Sequence, residues 1–247
     1  MLQSRRILAC VLMIEGCKPT APEAPAPQHS SADMTRAHSG VDAGPSTAWG
    51  DPIPQDAARI ELLGSRAKIG GKPLGDLRGV GKAVLITDLD TFLAEAAPVL
   101  EMLDRSAIET WLAHPAAAVA FKLALKDERA FQVWLDQPIP GRIRVVQRAD
   151  GLELQTGLGK LAGPDPNGPT IPLREGRLDL RSLRQSLLSL QRRFQNANDA
   201  CLVPSFGTEL VKIATALSGF YRAPGERIFS EICLVYPATA SGASGDR

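Results

Sequence analysis

The spacing of apolar and polar positions changes period several times along the chain, and each change predicts an element. Arg59-Ile60-Glu61-Leu62-Leu63 alternates, turns at Gly64-Ser65 and resumes at Ala67-Lys68-Ile69 before Gly70-Gly71-Lys72-Pro73, which reads as a small hairpin. Ala83-Val84-Leu85-Ile86 is apolar throughout, as a strand covered on both faces is. Leu93, Ala96, Ala97, Leu100 and Leu103 then recur at the helical period behind Asp90, an N-cap candidate, with Pro98 counting against the assignment. A strand from Ile108 to Ala113 stops at His114-Pro115. Val119 to Leu125 alternates like an exposed strand, and Asp127 is placed to cap a short helix carrying Phe131, Trp134 and Leu135.

The same order returns further on. Arg142 to Val146, a bend at Ala149-Asp150-Gly151 and Leu152 to Gln155 predict a second hairpin, Asp-Gly being a favoured turn pair. Gly163 to Pro169 is irregular loop. Leu180, Leu183, Leu187, Leu190 and Phe194 lie on one helical face behind Asp179, the N-cap, with Leu178 set to staple against Leu183. Ala200 to Val203 reads as an apolar strand, Thr208 to about Tyr221 as a helix, and Glu231 to Tyr236 as a last strand. The expected fold class is α/β, with two small units of the hairpin, strand, helix, strand type at 56–140 and 141–238. Ala83 to Pro115 and Ala200 to Pro237 share one layout, which suggests internal duplication, although strand-helix-strand units also recur by packing preference alone.

Ahead of these units the pattern is of another kind. Arg5 and Arg6 precede the apolar run Ile7 to Ile14, long enough for an export signal and well short of the roughly 20 apolar residues of a membrane-spanning helix. Ile14, Gly16 and Cys17 resemble the aliphatic, small and invariant cysteine positions of a bacterial lipoprotein signal, from which Glu15 departs. The resemblance implies a signal at 1–17, lipidation of Cys17, and a lipid anchor holding the chain on the periplasmic side of a bacterial cell envelope. Residues 18–55, with proline at 19, 22, 25, 27, 45, 52 and 54, read as a disordered Pro/Ala-rich tether, with Trp49 a candidate to pack on the body; 239–247 read as a disordered tail.

Composition narrows the chemistry. With 28 basic and 27 acidic side chains in 247 residues the net charge is +1, and no aromatics interleave with the arginines, so nucleic acid is not an expected partner. Arg181, Arg184, Arg192 and Arg193 read as a solvated helix face. The histidines, at 29, 38 and 114, do not cluster, so no metal site is expected from them, and no cofactor is implied; His114 reads as a turn or surface residue. Cys201 and Cys233 lie in apolar strands flanking one helix. A disulfide between them, which needs Cα atoms about 4.4–6.8 Å apart, and a pair of buried thiols are both open on the sequence. Val84-Leu85-Ile86-Thr87-Asp88-Leu89-Asp90 resembles the first motif of haloacid-dehalogenase-type phosphatases, which implies an alternative reading: an exported magnesium-dependent phosphohydrolase using Asp88 and Asp90. Phe92 stands where that motif has threonine.

The hairpin, helix, strand, helix, strand order of the second unit, with Ala149-Asp150-Gly151-Leu152-Glu153-Leu154 and Cys201-Leu202-Val203-Pro204-Ser205-Phe206-Gly207, resembles the periplasmic domain of the ExbD/TolR biopolymer-transport family. Gly70-Gly71-Lys72-Pro73-Leu74 and Leu85-Ile86-Thr87-Asp88 look like a shorter copy. Members of that family carry a transmembrane helix with a proton-handling aspartate, and Ile7 to Ile14 supplies neither. The resemblance therefore implies a non-catalytic binding or adaptor module, with an envelope protein or peptidoglycan-associated component as partner and a homodimer as one form of assembly. Sheet edges and the loop from Gly157 to Gly176 are the expected contact surfaces.

Overall fold

The computed structural model describes residues 48–239 other than 76, 138 and 196, so the signal-type segment with Cys17, the tether up to residue 47 and the tail from residue 240 lie outside the described residues. In chain order the elements are β1 (Asp51–Pro52), β2 (Ala58–Leu63), β3 (Arg66–Ile69), β4 (Lys72–Pro73), β5 (Lys82–Thr87), α1 (Leu93–Arg105), β6 (Glu109–Ala113), β7 (Val119–Asp127) and α2 (Glu128–Asp136). There follow β8 (Ile143–Arg148), β9 (Gly151–Thr156), β10 (Gly159–Lys160), β11 (Ile171–Pro172), α3 (Leu180–Arg193), β12 (Asp199–Pro204), α4 (Leu210–Leu217), a 3-10 turn (Ser218–Phe220), β13 (Tyr221–Ala223), β14 (Glu226–Arg227) and β15 (Glu231–Tyr236).

The fold is mixed α/β, and the strands of both expected units join in one large mixed sheet. Its order is β10-β9-β8-β12-β15-β7-β6-β5-β2-β3-β4, with β1 added on β7 and β11 on β9. Within it β2, β5 and β6 run parallel, as do β8, β12 and β15. No helix among the described residues is long and apolar enough to cross a membrane.

Strand β7 corrects the sequence reading most. Its alternation reads as exposed, yet it is the strand that joins the two halves: Ala120 to Leu123 pair antiparallel with β6, and Ala124 to Asp127 pair parallel with β15. Phe121 is fully buried. An inward-outward alternation fits a strand whose two faces meet different layers as well as one facing water.

The larger core lies on the sheet face covered by α1, α3 and α4, where Leu85, Leu202 and Val145 meet Leu100, Leu187 and Ile213. On the opposite face Trp134 of α2 packs with Cys201, Cys233 and Val235. Also on that side, in the first half, Val84 and Trp111 are covered by Ile53 and Ala57. Ala83 and Leu85 face one layer and Val84 the other, as an all-apolar strand predicts.

The folded chain begins earlier than the tether boundary at 55. The Trp49 N–H donates to Ser218 Oγ (2.8 Å), the Tyr221 hydroxyl donates to Asp51 Oδ2 (2.9 Å), and β1 pairs with β7. Proline at 52 and 54 does not prevent this, because an edge strand can spare the donor that proline lacks. Arg184 is likewise not a solvated residue: it donates to the Tyr221 carbonyl (2.6 Å) and its guanidinium lies 3.5 Å from the Trp49 ring centroid. It ties the entering chain to carbonyls that end the α4 segment.

Asp127 and Asp179 cap α2 and α3 as the pattern predicts, accepting from the N–H groups of Ala130 (2.7 Å) and Ser182 (3.0 Å). Asp90 does not cap α1. The N-cap is Phe92, whose N–H donates to Glu95 (3.0 Å), and Pro98 is carried inside the helix. The N–H groups of Leu93 and Ala94 are satisfied instead by the carbonyls of Thr208 and Phe206, while that of Leu210 donates to the Thr91 carbonyl. The two helix starts cap one another through an antiparallel bridge between Phe92 and Glu209.

His114 sits in the turn after β6 but is buried, with Nδ1 accepting from the Ala116 N–H (3.1 Å). Burial holds its imidazole below the ordinary value of 6.5. Its folded pKa is depressed, so stability is expected to fall as pH drops below that value, where the unfolded chain takes up the proton first. His114→Asn is expected to flatten the dependence of the thermal midpoint on pH between about 7 and 5. An unchanged slope in the variant would contradict this.

Candidate functional site

A cavity of about 660 Å³ opens beyond the carboxyl ends of the parallel neighbours β8 and β12. At this end β12 leaves toward α4 while β8 bends straight back into β9, so the chain parts there and leaves room between the two exits. Gln147 and Arg148 end β8, Ser205 and Thr208 follow β12, and Lys212 and Thr215 come from α4. The remaining wall is the turn before α3, with Leu173, Arg177, Leu178 and Leu180. A β9–β11 pairing, Leu152 with Ile171 and Gly151 with Pro172, fixes where that turn runs.

Gln147 is the unusual residue in this wall. It is buried, and its Oε1 has no hydrogen-bond donor. A buried amide oxygen left unpaired costs about 1–3 kcal/mol, so it is not there to stabilise the fold. Its counterpart in the first half is Leu62: Leu62 is the parallel partner of Thr87, the last residue of β5, and Gln147 that of Pro204, the last residue of β12. Residues 82–87 and 199–204 also share one burial pattern. One half therefore carries leucine where the other carries an unpaired amide.

The cavity's first-half counterpart is drawn together. The Thr91 hydroxyl accepts from the Gly64 N–H (2.9 Å) and donates to Asp88 Oδ1 (2.5 Å). In the second half Ser205 Oγ and Thr208 Oγ1 satisfy each other at 2.9 Å, and the space next to them is open.

Among the described residues no carboxylate lines the cavity, whereas Arg148, Arg177 and Lys212 do. Arg148 is paired with Asp150 and Glu153, and Lys212 with Glu209, all of them outside the lining. Arg177 is exposed, and no ion pair is found for it among the described residues. The walls thus offer cations and leucine side chains, with the Gln147 amide among them, its unpaired oxygen itself buried. A short acidic, apolar peptide segment brings the complement of each: carboxylates, backbone N–H groups and apolar side chains.

The residues singled out from sequence fall elsewhere. Asp88 and Asp90 are exposed in the turn between β5 and α1, where Asp88 Oδ1 accepts from Thr91 and from the Asp90 N–H (3.3 Å). Their arrangement is that of a side-chain-stabilised turn. Cys201 and Cys233 are direct partners in the parallel β12–β15 pair, with Cα atoms 4.4 Å apart and their sulfurs joined. The sheet edges finish in the two-residue strands β4 and β10, the first of which carries Pro73, so each offers a short stretch of backbone. The Gly157 to Gly176 loop is used partly to close the β9 edge through β10 and β11.

Comparison with family models, with curated proteins and with solved structures finds no match for this chain. The site therefore rests on its own chemistry. Gln147, Arg177 and Lys212 were not anticipated. The sequence signal for Gln147 is the inward alternation Ile143, Val145, Gln147, in which a polar residue takes a core position.

Proposed function

We propose that this chain is a non-catalytic recognition module of a bacterial cell envelope, held by a lipid on Cys17, that takes an acidic, apolar peptide segment of a partner protein into the cavity between β8, β12 and α3. The observation that carries the reading is a cavity lined by cations and leucines and, among the described residues, by no carboxylate, with Gln147 in its wall carrying a buried, unpaired carbonyl. The Cys201–Cys233 pair suits an oxidising compartment, and the signal-like Ile7 to Cys17 segment with its Pro/Ala tract suits a tethered domain. The hairpin, helix, strand, helix, strand order of residues 142–237 supports kinship with the periplasmic domain of the ExbD/TolR family. A duplication followed by divergence accounts for the paired helix starts and for leucine and glutamine at matching positions, the second copy having kept or gained an open site.

The test is fluorescence anisotropy with a labelled peptide of alternating glutamate and leucine, against its lysine-leucine counterpart. The acidic peptide is expected to bind the full chain, more weakly as salt rises. Arg177→Ala is expected to weaken it by about tenfold, the worth of one charge-assisted contact. Equal binding of both peptides, or an unaffected Arg177→Ala variant, would sink the assignment.

A further inference from the structure

On the sheet face covered by α2, at the amino end of β8, a second and smaller cavity of about 250 Å³ lies against Arg142 and Arg144. Arg142 is only 7 % exposed. Its guanidinium lies 4.6 Å from the Trp134 ring centroid, and one nitrogen donates to Gln137 Oε1 (2.5 Å), while Nε and Nη1 have no partner. Arg144, partly buried beside it, reaches only the Thr156 carbonyl, at 3.4 Å. Burial pushes its guanidinium below the ordinary value, and no acid offsets this. No ion pair is found for either arginine among the described residues, and no carboxylate lines the cavity.

A guanidinium kept from water without a counter-charge is costly. The stack on Trp134 supplies only part of that. A negative charge brought by a ligand would supply what Arg142 lacks, with Arg144 beside it.

The geometry points to a binding site for a carboxylate on a short apolar stem, held between Arg142 and Arg144. Carboxylate is favoured over phosphate because the walls bring no hydroxyl, and the Gly157 N–H is already given to the Pro140 carbonyl (3.3 Å). A phosphate site ordinarily uses such donors to satisfy its additional oxygens. Leu135, Ile139 and Leu158 supply the apolar part, and Leu158 stands exposed at the rim. This site lies on the opposite face from the Gln147 cavity and does not depend on it.

The three tryptophans, at 49, 111 and 134, give a direct readout in the indole N–H region of a ¹H–¹⁵N spectrum of the full chain. Titration with 4-methylpentanoate is expected to move the Trp134 signal saturably and to leave those of Trp49 and Trp111 in place. The neutral 4-methylpentanamide is expected to do nothing, and inorganic phosphate to act more weakly than the carboxylate. Arg144→Gln is expected to weaken the carboxylate by about tenfold. A silent Trp134, an equal response to the amide or to phosphate, or undiminished binding by Arg144→Gln would overturn the site. If that variant fails to fold, the carboxylate-to-amide comparison on the unaltered chain still decides it.

Discussion

Replacing Cys201 and Cys233 together by alanine is expected to destabilise the protein by about 4 kcal/mol, the loop-closure entropy of a bond spanning 32 residues. For a folded unit of this size that corresponds to a fall of roughly 8–15 °C in the thermal midpoint. The position makes the effect large. The bond links neighbours in the parallel pair between the two crossover strands that flank α4, so it closes the α4 segment in the unfolded chain. It also lies under Trp134, where two smaller side chains leave a void. Incubating the unaltered protein with reductant should reproduce most of the loss. A midpoint that moves neither with reductant nor in the variant would mean that the two sulfurs do not bond in solution.

Gly151→Ala is expected to cost roughly 2–4 kcal/mol and to abolish peptide binding along with it. Gly151 has a φ of +151°, and a Cβ there would lie 2.3 Å from the Ile171 carbonyl oxygen. Neither partner can give way alone, because both are backbone of the β9–β11 pair. The clash would push away residues 171–172, and with them the turn that presents Leu173, Arg177 and Leu178 to the cavity. Denaturant unfolding and peptide titration on the same sample check both effects. An alanine variant with native stability, or one that is destabilised yet binds normally, would separate the loop from the site and contradict the account.

Local pattern was enough to place both hairpins, the α2 and α3 caps and the two all-apolar strands, since each rests on alternation, a turn pair or a side-chain oxygen one position before a helical run. What pattern did not reach was whatever depends on the meeting of distant segments. The burial of β7 comes from partners in both halves of the chain, and its own alternation is the same whether one face meets water or a helix. Asp90 looked like a cap because it precedes an amphipathic run, yet the carbonyls that serve α1 come from residues 206 and 208. Arg184 matched its exposed neighbours in sequence and differs from them only because Trp49 and the end of the α4 segment are there to receive it. The sites were the least legible. Gln147 and Arg142 matter for partners they lack, and a missing partner is visible only once the surroundings are built.

The central claim, that the cavity beyond β8 and β12 is a peptide site, is tested most directly by Gln147→Leu, which gives the second half the residue that the first half carries. Thermal unfolding and acidic-peptide anisotropy on this one variant should diverge. Stability is expected to rise by about 1–2 kcal/mol as the unpaired carbonyl is removed, while peptide affinity falls by about tenfold or more. A variant that binds the peptide as tightly as the unaltered chain, or that is destabilised by the change, would contradict the account.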